Sequence, residues 1–92
     1  MKVNDVVTVL SSLGTEYVGK FKSMDTNGIL LENPKLITMS ESGMGFAGGI
    51  AMTGNPDPNS VLINLSQVVF VTETNEAVVK AYRQATSGII TP

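Results

Sequence analysis

The 92-residue chain contains no cysteine and no histidine. The first absence removes disulfides, and the two together remove the usual ligand sets for zinc. They also strip away most of the equipment of nucleophilic catalysis. What remains is Ser or Thr beside Lys or a carboxylate, and no such pairing stands out along the chain. The eight Asp and Glu residues are scattered, without the spacing of a metal-binding loop. The chain therefore reads as a protein that is not an enzyme and takes no cofactor and no metal. Met1-Lys2-Val3-Asn4-Asp5 does not resemble a secretory leader, since it has a charge of each sign and runs straight into a strand pattern. The longest apolar candidate for a bilayer span, Met44 to Met52, is broken by glycines. The expectation is a soluble, cytoplasmic protein with no membrane partner. Positive charge is scarce, six Lys and Arg against eight acids for a net charge of −2. A protein that grips phosphates without specificity normally carries the opposite sign.

What is present suits one small globular domain over residues 1–92, with 42% hydrophobic residues. A domain of this size has a modest core, and with no staple available, self-association is the remaining common source of stability. Val6 to Leu10 reads as a first strand with Val7 and Val9 on one face. Leu13-Gly14-Thr15 supplies a turn, and Tyr17 to Met24 a second strand, with Gly19 in its middle marking a sharp bend or a close backbone approach. Asp25-Thr26-Asn27-Gly28 is a hairpin signal. Ile29 to Glu32 begins a third strand that resumes at Lys35 to Ser40, so a bulge or bend is expected at Asn33-Pro34. Residues 41–60 read as a long glycine-rich loop or an extended hairpin. Val61 to Leu65 and Val68 to Thr72 are short strands. A helix is expected over 75–87, with Asn75 as cap, Val78, Val79, Tyr82 and Ala85 as its apolar stripe, and Gly88 closing it. The fold class is mainly β: a small, strongly bent, five-stranded antiparallel barrel with a C-terminal helix.

The run from Val7 to Asp25 resembles the first sequence motif of the Sm/LSm (Hfq-like) family. It has alternating apolar residues on strand one, turn glycine Gly14, a second glycine at Gly19, apolar Phe21 and then Asp25. Asn27-Gly28-Ile29-Leu30 is similar to the family's asparagine-to-leucine step. Ile63 to Val71 keeps the apolar frame of the second motif, but Asn64-Leu65 stands where the family has arginine-glycine. The resemblance implies a ring, in which the fourth strand of one subunit pairs with the fifth of the next. A cyclic homo-oligomer would also cover the short apolar strands that hold Val61, Ile63, Val68 and Val71, which are hazardous as free edges. The family generally places a helix ahead of strand one; here the helix comes last, and Val78, Val79 and Tyr82 are expected to cover the barrel.

The resemblance also implies single-stranded RNA, or another nucleic acid, as a partner. Asn27 would read the base edge and Asp25 would orient it. Lys20 and Lys22 share a strand face, with Lys35 expected near them, and a ring would repeat them as a basic band. The candidate contacts are Lys20, Lys22, Asp25, Asn27 and, at the arginine position, Asn64. Two departures weaken this site. The family spaces its aspartate and asparagine more widely, so a base-stacking residue is missing, and the arginine is gone. A plain type I′ hairpin explains Asn27-Gly28 without a ligand. Tyr17 and Phe21 read as core rather than as stacking platforms. Gly43-Met44-Gly45-Phe46-Ala47-Gly48 matches a dinucleotide fingerprint in spelling only, since no βαβ unit surrounds it. Met44, Phe46, Ile50 and Met52 are costly to leave in water, which suggests burial by neighbouring subunits or by a protein partner. The rival to an RNA-binding ring is thus a structural or protein-interaction ring.

Overall fold

In the computed structural model, which describes residues 1–47, 53–55 and 58–87, alternation of apolar residues decides which face each strand buries. β1 (Val6–Ser11) pairs antiparallel with β2 (Glu16–Met24), and the turn between them needs Gly14, whose φ of 87° is one that L side chains rarely adopt. β3 (Ile29–Ser40) runs antiparallel to β2 and is long enough to serve two further strands. Its first part pairs with β5 (Ser60–Ile63) and its second with β4 (Gly43–Ala47). β4 and β5 thus line one side of β3 as two pieces of a fourth strand, which turns the expected five strands into six segments. β6 (Val68–Glu73) closes on the other side of β1.

Bending comes from paired irregularities. Val18 faces Lys35 and Lys20 faces Glu32, so Asn33 and Pro34 together oppose the single residue Gly19. This is the bulge expected at Asn33-Pro34. Asn33 takes a φ of 50° there. A Cβ on Gly19 would lie 3.2 Å from the Glu32 carbonyl oxygen and 3.3 Å from Pro34 Cα. The glycine is therefore the close approach that lets the strands cross the bulge. A second bulge lies in β2 at Lys22, the residue between the Phe21–Leu31 and Ser23–Leu30 pairs, and it restores the register. The simple alternation of faces from Tyr17 to Met24 is consequently interrupted at Lys22. Along β6, Val69 is an extra residue between the pairs Leu10–Phe70 and Ser11–Val68.

The curled sheet packs both of its faces. Inside, Val7, Val9, Ile29 and Leu31 are fully buried, and Tyr17, Phe21, Ile63, Val68 and Val71 pack against them. Residues from β5 and from β6 reach this one cluster, so the sheet wraps into a barrel although no ladder joins those two strands among the described residues. Outside, α1 (Glu76–Ser87) lays Val78, Val79 and Tyr82 over Val6, Val18, Ile37 and Phe46. The Asn75 side-chain oxygen accepts from the Val78 N–H at 3.0 Å, which caps the helix, and Glu76 stands in its first turn. Gly88, read from the sequence as the closing residue, lies outside the described residues. No helix among the described residues is long and apolar enough to cross a membrane.

Tyr82 fastens the helix to the bulge. Its ring is fully buried and meets Phe46 edge-on at 6.0 Å. Its hydroxyl donates to the Asn33 carbonyl at 2.6 Å, with the Glu32 carbonyl 3.3 Å away. Burial pushes the phenol up to about 12, Glu32 adds to the rise, and Arg83 opposes it.

Candidate nucleic-acid interface

The two sequence motifs meet at one place in the fold. Ile29 pairs with Ile63, which sets the Asp25–Gly28 turn beside the end of β5. The Gly28 backbone lies so close to the Ile63 carbonyl that no side chain fits between them. Beyond Ile63 the chain enters a 3-10 turn, Leu65–Gln67, that leads into β6. Asp25, Asn27 and Asn64 therefore sit on adjoining loops, while Lys20 and Lys22 lie back along β2.

The Asp25–Gly28 turn is a four-residue loop rather than a type I′ hairpin. Asp25 N–H donates to the Gly28 carbonyl at 3.0 Å, and the Asp25 carboxylate accepts from the Asn27 N–H at 2.8 Å. Type I′ needs positive φ at both central residues, yet among the described non-glycine residues only Asn4 and Asn33 have it. The aspartate side chain replaces that geometry by bonding two residues ahead. The Asn27 side chain points no bond at the protein among the described residues and is exposed.

Asn64 has an internal task as well. Its side-chain oxygen accepts from the Ser66 N–H at 3.0 Å, and its carbonyl accepts from the Gln67 N–H at 3.0 Å, so it caps the 3-10 turn. The basic strand face is partly neutralised. Glu32, which faces Lys20 across the ladder, places its carboxylate 4.0 Å from Lys20 Nζ and 3.6 Å from Lys22 Nζ. Lys22 also donates to the Asn4 side chain at 2.9 Å. Lys35 lies farther along, opposite Val18. These are half-exposed contacts of small energetic weight, and they leave both ammonium groups within reach of solvent. Sequence reasoning did not find Glu32; the signal was available, since a hairpin closed at Asp25–Gly28 brings Glu32 back toward Lys20.

The residues feared as sticky edges divide by face. Ile63, Val68 and Val71 pack on the interior, as does the face that Val61 shares with Leu31. The exposed apolar side chains are their alternates, Leu62 at 56%, Val69 at 60% and Phe70 at 48%. Of the apolar residues in the glycine-rich stretch, Phe46 is covered by Tyr82 within the same chain, whereas Met44 is exposed opposite Met39. Ile50 and Met52 lie outside the described residues. Gly43–Ala47 is a strand paired with β3, so the dinucleotide spelling runs along a strand at these residues.

The order of strands, the bulge at the second glycine and the meeting of the two motif loops define an Sm-like fold. No family model matches the chain, and no curated protein matches it in sequence. Solved structures are similar to it in fold. The P. aerophilum SmAP1 heptamer is similar with a TM-score of 0.55 at 15% identity, over 79% of this chain and 82% of that one. A novel Sm-like archaeal protein from Pyrobaculum aerophilum is similar with a TM-score of 0.54 at 19% identity, over 97% of this chain. The match spans 62% of the length of that second protein.

Proposed function

We propose that this chain is a cytoplasmic, non-catalytic, ring-forming protein that binds single-stranded RNA and serves as a scaffold or chaperone in RNA processing. The observation that carries the ring is the open edges of the sheet among the described residues, β4 and β5 on one side and β6 on the other, with Leu62, Val69 and Phe70 exposed beside them. An open apolar edge invites a further strand, and pairing β5 of one copy with β6 of the next covers both edges in a closed cycle. The heptameric assembly of the similar P. aerophilum protein supports this reading. Support for RNA comes from the adjoining loops of Asp25, Asn27 and Asn64. Asn27 has an exposed amide able to pair with a base edge, and a ring would repeat it around one face.

A protein-interaction ring without nucleic acid is the second reading. It is favoured by the contacts of Glu32 with Lys20 and Lys22 and by the use of Asn64 as a cap. Fluorescence anisotropy with labelled oligo-U and oligo-A over a salt series separates the two. Saturable binding that weakens as salt rises is expected of the RNA-binding ring. Absence of binding at low salt would leave the second reading standing.

A further inference from the structure

We infer that Asn27 is a site of spontaneous deamidation, at which the chain converts a neutral amide on its candidate RNA-binding loop into a carboxylate. The reaction is intramolecular. The Gly28 amide nitrogen gives up its proton and attacks Asn27 Cγ, the bond from Cγ to the side-chain nitrogen breaks, and ammonia leaves. Water then opens the resulting succinimide at one of its two carbonyls, leaving aspartate or isoaspartate. Water is the only co-reactant.

The structure singles out this asparagine from the seven in the sequence. Asn33 and Asn55 precede prolines, which have no N–H to attack with. Asn4, Asn64 and Asn75 have side-chain oxygens engaged, by Lys22, Ser66 and Val78. Asn59 is followed by Ser60, whose backbone is paired with Glu32 and which carries a side chain. Asn27 alone combines an exposed side chain, no described hydrogen bond to its amide, and a following glycine. Among the described residues the Gly28 N–H meets no acceptor either. The fold also keeps this glycine in place, because the Ile63 carbonyl excludes a side chain there. A carboxylate at position 27 would stand two residues from Asp25, and isoaspartate would lengthen the main chain inside the turn. Both changes disfavour a polyanion at this loop, a consequence that rests on the RNA reading.

The test is incubation of the full chain at mildly alkaline pH, with peptide mapping by mass spectrometry and enzymatic detection of isoaspartate. The expected result is loss of the amide at Asn27 ahead of Asn59 and of every other asparagine. Deamidation of Asn59 first, or an intact Asn27 while others react, would overturn the inference. In parallel, the fresh chain, the aged chain and Asn27→Asp are titrated with oligo-U. Weaker binding by the aged chain and by Asn27→Asp supports the regulatory consequence, and equal binding by all three overturns it. If the fresh chain itself binds no RNA, the functional reading fails, while the peptide map still decides the chemistry.

Discussion

At the Asn33 bulge the broken ladder is repaired within the chain, whereas along β5 and β6 it simply ends. Asn33 donates its N–H to the Asn59 carbonyl at 2.8 Å and receives the Tyr82 hydroxyl on its own carbonyl. The apolar surface around it is covered by α1. Across the barrel, the outer edges of β5 and β6 have no strand beside them among the described residues, and Leu62, Val69 and Phe70 face outward. The difference is one of geometry. A bulge exposes a few backbone groups that one well-placed side chain can satisfy. A strand edge exposes a row of them at a spacing that only another strand can match. One side of the molecule can therefore be completed by a helix, whereas the other is matched only by a further strand.

The largest expected effect breaks the repaired side. Gly19→Val would push its branched side chain against the Glu32 carbonyl, Leu31 and Pro34, two of them backbone contacts that cannot swing away. A loss of about 3 kcal/mol is expected from such overpacking. Thermal melts should record a fall in Tm on the order of 10–20 °C for a chain of this size. A melt within a few degrees of the unaltered protein would mean that the bulge is not the tight crossing described.

The open side is broken differently. Leu62→Lys combined with Phe70→Lys puts charge on outward positions that contribute nothing to the interior cluster. The chain should keep its circular dichroism and lose its assembly. Light scattering coupled to size exclusion is expected to give several chain masses for the unaltered protein and one for the double variant. A monomeric unaltered protein at micromolar concentration would remove the ring, and with it most of the case for RNA.

A smaller effect sharpens the repaired side. Tyr82→Phe keeps the ring contact with Phe46 and deletes the hydroxyl, leaving the Asn33 carbonyl short of its partner. The expected cost is about 1–2 kcal/mol. Alkali should mimic it. The phenol is raised from 10.0 to about 12 in the folded chain, so its protonated form is favoured by folding. That contribution is complete below pH 10 and is lost as pH rises from 10 to about 12. Denaturant melts across this window should fall more steeply for the unaltered protein than for Tyr82→Phe. Parallel slopes would contradict the buried hydroxyl.

Much of the repaired side was legible before the structure. Gly14, Gly19 and Asn33-Pro34 each report a local backbone requirement that few other residues meet, and each lies at the turn or bulge it announced. Val7 and Val9 face inward, and Val78, Val79 and Tyr82 cover the barrel, because a period of two and a helical stripe say which side chains share a face. β4 was harder to read. Glycines at 43 and 45 alternate with Met44 and Phe46, and composition left a loop and an extended hairpin both open, of which Gly43–Ala47 forms the hairpin strand. The Tyr82–Asn33 bond depends on how distant segments pack, which no local pattern states, whereas Glu32 faces Lys20 across a hairpin whose turn was already read. Asn64 is a different case: its cap is a local bond to Ser66, two residues ahead, which its place in the second motif overshadowed.

The smallest expected effect concerns that residue and decides what it is for. The Asn64 side-chain oxygen caps a three-residue turn joining the two open strands, and it is placed where a base contact is sought. Asn64→Ala removes both capabilities, with an expected stability loss of about 0.5–1 kcal/mol from the missing cap. Asn64→Ser separates them, since a serine hydroxyl can also accept from the Ser66 N–H but offers a base no amide face. If Asn64 serves only the turn, Asn64→Ser should match the unaltered protein in both melting and RNA affinity. If it also reads a base, the serine variant should melt normally and bind oligo-U more weakly at every salt concentration, with the slope against salt unchanged because no cation has been removed. A changed salt slope would contradict the base-contact account, since a neutral side chain releases no counterions. Weak melting by the serine variant would contradict the cap.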